Sequence, residues 1–346
     1  MLKNLIILAV LLAFVAVAET PKIIVSFPAY DQVLKEAFPQ AEVILLTRNA
    51  TGDPHQYQLT PADLQLLYSL TEKDVIVSTA HAPFELKIAE LAKEGKIKAY
   101  VIDVRTFQLY LTWDNHLVKL DIEHDEVHHE DHKHGPVNLH DHGIYPPNVF
   151  KLVEEVSRRT GLQPNREFLE RLRVLNATYC CRFGGKAVAL TPAAQYLLHW
   201  LGFRDVVVLV KGPGMPPSPA DLQKALQYVR DGAPAVAVVV RGEALRIVDM
   251  FRQKAKEAEI QPKIIATGFS KGYLSAVENI TRQIAEYTPQ LAESTPQRPT
   301  QQVSATAPMS GQQGGDVDVI MPLIVIAAAV AAVGVFLALR RNRKTK

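Results

Sequence analysis

The strongest constraint on this chain is a repeated pattern in which short runs rich in valine and isoleucine alternate with amphipathic stretches. The runs are continuously apolar, as expected for parallel strands that are buried on both faces. Eight of them occur, at 22–27, 42–47, 74–79, 98–103, 186–191, 205–210, 235–240 and 263–267. Strand–helix alternation in two sets of four predicts an α/β fold made of two doubly wound parallel-sheet lobes.

Helical patterns fill the intervals between these runs. Thr60 and Pro61 form an N-cap and first-turn pair that predicts a helix at 60–70. Between the two sets of strands, the patterns at 147–159 and 165–176 predict helices that join the lobes. Open parallel sheets bind ligands at the carboxyl ends of their strands, so the predicted binding site is the cleft between the lobes.

The two ends of the chain predict its compartment. An apolar run follows Lys3 and ends in small residues, which predicts a signal peptide at 1–18. The uncharged, mostly apolar run at 319–339 is long enough to predict a transmembrane helix. The basic tail at 340–346 would remain in the cytoplasm. We therefore expect a single-pass cell-membrane protein whose binding domain is extracellular.

Composition supplies the remaining boundaries. Residues 288–318 are mostly Thr, Ser, Pro, Gln and Gly, which predicts a disordered stalk. The folded body then comprises an N-terminal lobe at 19–146 with a His-rich loop at 116–142, connecting helices at 147–183 and a C-terminal lobe at 184–287. A formal net charge of +2 without a basic stripe in the body argues against a nucleic-acid partner, and we expect a monomer.

Two catalytic motifs are present only in part. Residues 268–272 read G-x-S-x-G between a strand and a helix, the setting of a nucleophilic serine. A hydrolase would need an acid and then a histidine later in the chain, but no histidine follows His199. Ser270 is therefore interpreted as a helix cap, and the glycines before Lys186 lack the spacing of a phosphate loop. The sequence does not predict an enzyme.

Histidine carries the remaining signal. Seven of the eleven histidines lie within 124–142, interleaved with Asp and Glu. Imidazole is a favoured Zn²⁺ ligand, and neighbouring carboxylates attract cations. A tract without fixed geometry should bind several ions weakly, although a solvated polar loop is the alternative. The residues predicted to bind metal weakly are His124, His128, His129, His132 and His134.

The sequence DPHQYQLTPAD at 53–63 resembles a known family. The zinc/manganese-binding solute-binding proteins of metal ABC transporters carry a D-P-H-x-Y-x-x-x-P-x-D pattern, in which the histidine is the first metal ligand. The resemblance covers roughly 20–287, and the C-terminal anchor is as in archaeal members. It implies two lobes joined by a rigid connecting helix, a metal in the cleft, and delivery to an ABC permease driven by its ATPase.

The resemblance also implies metal ligands, with departures from the family pattern. The family places its second histidine shortly before a Pro-x-Asn, which His142 or His140 matches. Its third ligand, His or Glu, falls at Thr191, whose hydroxyl is a poor ligand. Its fourth, Asp or Glu, has no clear match, and Glu243 is nearest. His81 follows the third strand and could enter the cleft. The candidate ligands are thus His55, His142, His140, His81 and Glu243.

Zn²⁺ is the expected ion, with Mn²⁺ as the alternative, because manganese would want more carboxylate oxygens. The departures at Thr191 and at the fourth ligand would also suit a divergent receptor or adhesion module of the same fold that has lost its metal site. Cys180 and Cys181 are predicted to be buried thiols or a vicinal disulfide.

Overall fold

The structure is a computed structural model that describes residues 20–50, 54–120, 136–141, 143–212, 214–238, 242–269 and 272–287. The chain divides into two units, Met1–Thr295 and Pro296–Lys346, and the described residues all lie in the first. The predicted signal peptide, stalk and transmembrane helix lie outside the described residues. So do Ser270 and the five histidines to which weak metal binding was assigned.

The first lobe is built on a four-stranded parallel sheet in the order β2-β1-β3-β4. Each of its three helices begins with proline, whose fixed φ suits the first helical turn. Its elements are β1 (Lys22–Val25), α1 (Pro28–Ala37), β2 (Glu42–Leu45), α2 (Pro61–Ser69), β3 (Val75–Ser78), α3 (Pro83–Lys93) and β4 (Tyr100–Asp103).

A small antiparallel sheet, which the sequence patterns did not predict, follows the first lobe. Its central strand β5 pairs with both neighbours. The strands are β5 (Leu109–Thr112), β6 (Leu117–Lys119) and β7 (Val137–Asn138). Residues 121–135, which lie outside the described part of the chain, come between β6 and β7 in sequence. The strands on either side of these residues therefore pair with the same central strand, β5.

Two helices, α4 (Pro146–Thr160) and α5 (Arg166–Tyr179), lead to the second lobe. That lobe has another four-stranded parallel sheet, in the order β11-β10-β8-β9. Its elements are β8 (Lys186–Ala189), α6 (Pro192–Leu201), β9 (Asp205–Val208), α7 (Pro219–Arg230), β10 (Ala235–Val238), α8 (Gly242–Glu257), β11 (Ile264–Thr267) and α9 (Tyr273–Tyr287).

The larger of two hydrophobic cores extends through both lobes. Buried side chains run continuously from β1 and β3 through α4 and α6 to α9, and a second cluster lies between α7, α8 and the second sheet. The last helix, α9, also returns to the first lobe, where the Glu36 carboxylate of α1 accepts hydrogen bonds from the backbone N–H groups of Tyr273 and Leu274. The lobes are therefore joined by packing as well as by α4 and α5.

All eight predicted strands are present and parallel, so the predicted α/β class with two parallel sheets is confirmed. The predicted localisation requires a correction. Across the described part of the chain, no helix combines the length and the apolar character needed to cross a bilayer. This finding contradicts the expectation of a single-pass membrane protein.

Candidate metal centre

His55 lies in a 3₁₀ turn at Pro54–Gln56, between β2 and α2. The residues that follow it in the motif fix this turn. The Tyr57 hydroxyl donates to Asp63 Oδ2 at 2.6 Å, and Thr60 and Asp63 form a reciprocal capping box at the start of α2. Burial alone would raise the pKa of Asp63, but the hydrogen bonds from Tyr57 and Thr60 lower it, so this carboxylate stays ionised. The motif thus holds the chain immediately after His55.

His81 lies in the turn between β3 and α3. Ala80 adopts a left-handed φ of 51°, which redirects the chain just before His81. The fully buried Glu85 carboxylate accepts hydrogen bonds from the backbone N–H groups of Thr79, His81 and Ala82 and from the Thr79 hydroxyl, at 2.6–3.2 Å. One carboxylate therefore fixes the whole turn that carries His81.

Electrostatics keep the His81 imidazole neutral. Burial is the main cause that lowers the pKa of His81 to about 4, and the nearby Glu85 carboxylate only partly offsets it. Burial acts to raise the pKa of Glu85, but its hydrogen bonds and His81 lower it below its ordinary value. At neutral pH the turn therefore presents a neutral imidazole whose Nδ1 lies 4.0 Å from a buried carboxylate oxygen.

His140 follows the short strand β7. The Asn138 side-chain oxygen accepts a hydrogen bond from the His140 N–H at 2.9 Å. On the other side, the buried Asp141 carboxylate accepts hydrogen bonds from Tyr145 N at 2.7 Å and Asn148 Nδ2 at 2.9 Å. Burial raises the pKa of Asp141 to about 7. His140 is thus held between β7 and the start of α4.

The three imidazoles converge. One nitrogen from each of His55, His81 and His140 lies within 4.8 Å of the other two. The ring centroids are 4.9 Å apart for His55 and His81, 5.2 Å for His55 and His140, and 5.6 Å for His81 and His140. Phe27, at the end of β1, stacks on His81 at 5.4 Å and lies 4.9 Å from His55. We call these three histidines the histidine cluster.

The cluster fits a zinc ion. Nitrogens bound to one tetrahedral Zn²⁺ at about 2.0–2.1 Å lie roughly 3.4 Å apart. The observed separations therefore need only small side-chain movements to close around the ion. Phe27 shields the cluster on one side, which lowers the local dielectric and strengthens metal–ligand contacts. The arrangement can hold a divalent cation with three neutral nitrogen ligands and leaves a fourth position for another donor.

The other predicted ligands have different positions. His142 lies outside the described residues, and its stated alternative, His140, lies in the cluster. Glu243 is the second residue of α8, and its side chain is outside what the structure describes. Thr191 is buried, and its hydroxyl accepts from Val238 N at 3.0 Å and donates to the Val238 carbonyl at 3.3 Å.

Three further residues from the sequence interpretation are not part of the histidine cluster. His199 lies half-buried in α6, with its ring centroid 6.2 Å from that of Tyr145. Cys180 and Cys181 follow α5, with their sulfur atoms 2.7 Å apart, Cys180 half-buried and Cys181 exposed. What sequence reasoning missed is the group of residues around His140, namely Asn138, Gln195 and Tyr196. In the sequence, the only indication of these residues was the turn expected just before His140.

Two doubly wound lobes with a ligand cluster at the strand ends define the class of bilobal solute-binding proteins. The ZnuA family model, described as zinc-uptake complex component A, periplasmic, matches residues 23–287. The chain belongs to this family, whose members are solute-binding proteins. The match confirms the resemblance read from residues 53–63.

Solved structures agree on the fold. FpvC from Pseudomonas aeruginosa in complex with Mn²⁺ has a TM-score of 0.51 and 18% identity, covering 80% of this chain and 100% of that one. ZnuA has a TM-score of 0.53 and 15% identity, covering 78% and 99%. Zn(II)-bound AdcA from Streptococcus pneumoniae has a TM-score of 0.51 and 17% identity, covering 79% and 58%. A comparison with curated proteins gives no match.

Proposed function

We propose that this chain is an extracytoplasmic solute-binding protein of an ABC transporter, and that it captures a divalent metal ion at His55, His81 and His140. The observation that carries the proposal is the convergence of three imidazoles from three separate turns to within 4.8 Å. Each turn is fixed by its own buried hydrogen bonds, so the site is largely preformed and loses little conformational entropy on binding. This convergence favours a metal receptor over the alternative module that has lost its metal site.

Zn²⁺ is the proposed ion. Three nitrogen donors suit Zn²⁺, whereas Mn²⁺ favours carboxylate and water oxygens. The Glu85 carboxylate beside His81 is already occupied by backbone and hydroxyl donors and supports the His81 turn. The fourth position would be taken by water or by a further side chain, for which Glu243 and His142 remain the predicted candidates.

The charge balance suits reversible capture. His81 is already neutral near pH 7 because burial lowers its pKa to about 4, so it need not release a proton when the ion binds. The Glu85 carboxylate, 4.0 Å from His81 Nδ1, compensates part of the charge of the incoming cation. A site with three protein ligands exchanges its ion more readily than a closed four-ligand structural site.

The proposal also covers the partners to which the metal is delivered and the loop histidines that would collect it. As the family description indicates a zinc-uptake complex, the proposed partners are the ABC permease and its ATPase. The five histidines His124, His128, His129, His132 and His134 lie between β6 and β7, and β7 ends two residues before His140. Weak binding along this segment would keep ions near the cluster at high effective concentration.

The test is a calorimetric zinc titration of three full-length proteins: the wild type, the double variant His55→Ala/His81→Ala, and a variant with serine at the five loop histidines. The five loop histidines are substituted rather than deleted, because a deletion that extended to residue 140 would remove His140 itself. We expect one tight site in the wild type, retained in the loop variant and lost in the double variant. Tight binding that disappears with the loop histidines but survives the double variant would contradict the proposal.

A further inference from the structure

Helix α6 of the second lobe is joined to the antiparallel sheet by buried hydrogen bonds. The Tyr196 hydroxyl donates to the Asn138 carbonyl and accepts from Leu111 N at 3.1 Å. Gln195 Nε2 donates to the Thr112 carbonyl at 2.9 Å. Asn138, Gln195 and Tyr196 are all 0% exposed. These bonds lie in a low-dielectric interior, where they are strong and where an unpaired group is costly.

The side-chain amide of Asn138 links α6 to His140. Its Nδ2 donates to the Pro192 carbonyl and to Gln195 Oε1, both at 2.9 Å, while its Oδ1 accepts from the His140 N–H at 2.9 Å. The orientation of the amide is fixed, because the Pro192 carbonyl can only accept and the His140 N–H can only donate. The backbone of His140 is therefore held by a group that α6 itself holds.

We propose that Asn138, Gln195 and Tyr196 are positioning residues that set the place of His140 in the histidine cluster. This inference rests on the proposed function, since it concerns the same metal site. Through these residues the second lobe acts on the site by holding the strand that carries a ligand. The described ligands themselves all come from the chain before α4.

The three histidines differ in what holds them. The turn of His55 is fixed by Asp63 and the turn of His81 by Glu85, both in the first lobe. The network of His140 instead runs to Pro192, Gln195 and Tyr196 in the second lobe. A shift of α6 relative to the first sheet would therefore act on the backbone of His140, through Asn138, and not directly on the turns of His55 and His81. That asymmetry provides a route by which lobe movement weakens metal binding.

The experiment uses full-length protein with Gln195→Met or Tyr196→Phe, substitutions that keep side-chain size and remove the hydrogen bonds. Thr281→Val is the matched control, because it removes the hydrogen bond from a fully buried hydroxyl to the Val277 carbonyl within α9, outside the network. Zinc affinity is measured by chelator competition. The visible absorption spectrum of bound Co²⁺ reports ligand geometry, and thermal unfolding of the metal-free proteins reports folding.

We expect Gln195→Met and Tyr196→Phe to weaken zinc binding roughly tenfold and to alter the Co²⁺ spectrum. Thr281→Val should leave both unchanged, even if it lowers thermal stability as much. In a His140→Ala background, Tyr196→Phe should have no further effect on zinc affinity, because the ligand that it positions is gone.

Two results would overturn the inference in distinguishable ways. If the wild type binds zinc tightly but Gln195→Met and Tyr196→Phe match Thr281→Val in affinity and Co²⁺ spectrum, the network serves only folding and the proposed function stands. If the wild type binds neither zinc nor cobalt, the proposed function fails and the positioning role fails with it.

Discussion

The two lobes have the same sheet but different strand ends. Read from β9, the second sheet has the strand order second, first, third, fourth, which is also the order of the first sheet. In such a sheet the crevice lies between the first and third strands, where the connections turn to opposite sides. In the first lobe this crevice is flanked by Phe27 and His81. In the second lobe the equivalent residue to Phe27 is Thr191, the residue before the proline of the next helix.

The difference shows how one fold supplies either a site or a support. Phe27 stacks on the ring of His81. Thr191 bonds through its hydroxyl to the backbone of Val238 on the third strand of its own sheet. The first lobe thus presents imidazoles at its strand ends, whereas the second lobe presents a helix that holds the side chain of Asn138 and, through it, the backbone of His140.

The largest expected effect is at the turn that carries His81, which has no described counterpart in the second lobe. Glu85→Ala leaves three backbone N–H groups and two hydroxyls without their buried carboxylate. We expect the free energy of unfolding to fall by about 3–5 kcal/mol in urea denaturation. Glu90→Ala in the same helix removes only an exposed pair with Lys87 and should cost less than about 0.5 kcal/mol. Similar costs for both variants would show that Glu85 does not organise the turn.

The next effect compares one buried histidine from each lobe. His81→Ala removes a ligand of the histidine cluster and should weaken zinc binding by about a hundredfold or more, close to 2.7 kcal/mol. His199→Ala removes an imidazole that burial also keeps neutral but that lies outside the cluster, and it should leave zinc affinity unchanged. Chelator competition measures both. Equal losses would place the site elsewhere.

A smaller effect is expected at Thr191, in the crevice of the second lobe. Thr191→Val leaves the buried Val238 N–H unpaired, which should lower the free energy of unfolding by about 1–2 kcal/mol without changing zinc affinity. Thr178→Val, at an exposed hydroxyl that bonds only within its own helix, should change stability little. A fall in zinc affinity for Thr191→Val alone would indicate that this position has kept the role of a ligand.

The smallest effect concerns pH. Burial lowers the pKa of His199 to about 4, from 6.5 in the unfolded chain. Between these values the unfolded state binds more protons, so stability is present above pH 6.5 and falls as pH drops toward 4. His199→Gln should flatten this fall by about 1 kcal/mol, allowing for the solvent contact that the ring retains. Denaturation of metal-free protein at pH 7 and 4.5 measures it, and parallel slopes would contradict the prediction.

Much of the fold was predictable because its parallel strands are continuously apolar and six of the nine described α-helices begin with proline. The runs at 74–79 and 235–240 signal buried parallel strands without tertiary information. The antiparallel sheet could not be found in this way. Strands β6 and β7 have three and two residues, too few to show a period, and the His-rich segment separates them in sequence.

The site was predictable in part. His55 and His81 follow predicted parallel strands, and the carboxyl ends of such strands meet at one edge. The convergence of His140 with His55 and His81 could not be predicted from sequence, because it depends on how Asn138 holds the chain after β7. The contribution of Gln195 was also hidden, since an isolated glutamine in an apolar helix gives no indication of the sheet that it contacts.

The hydrogen bonds through which α6 and Asn138 hold the backbone of His140 also have a consequence for the order in which the protein folds. During synthesis, His55, His81 and His140 all leave the ribosome before Gln195 and Tyr196 do. N-terminal segments generally fold first. The early part of the protein therefore holds all three imidazoles before α6 is present to hold the backbone of His140. Under the positioning role proposed above, the zinc affinity of the cluster reaches its final value only when α6 has folded against the antiparallel sheet.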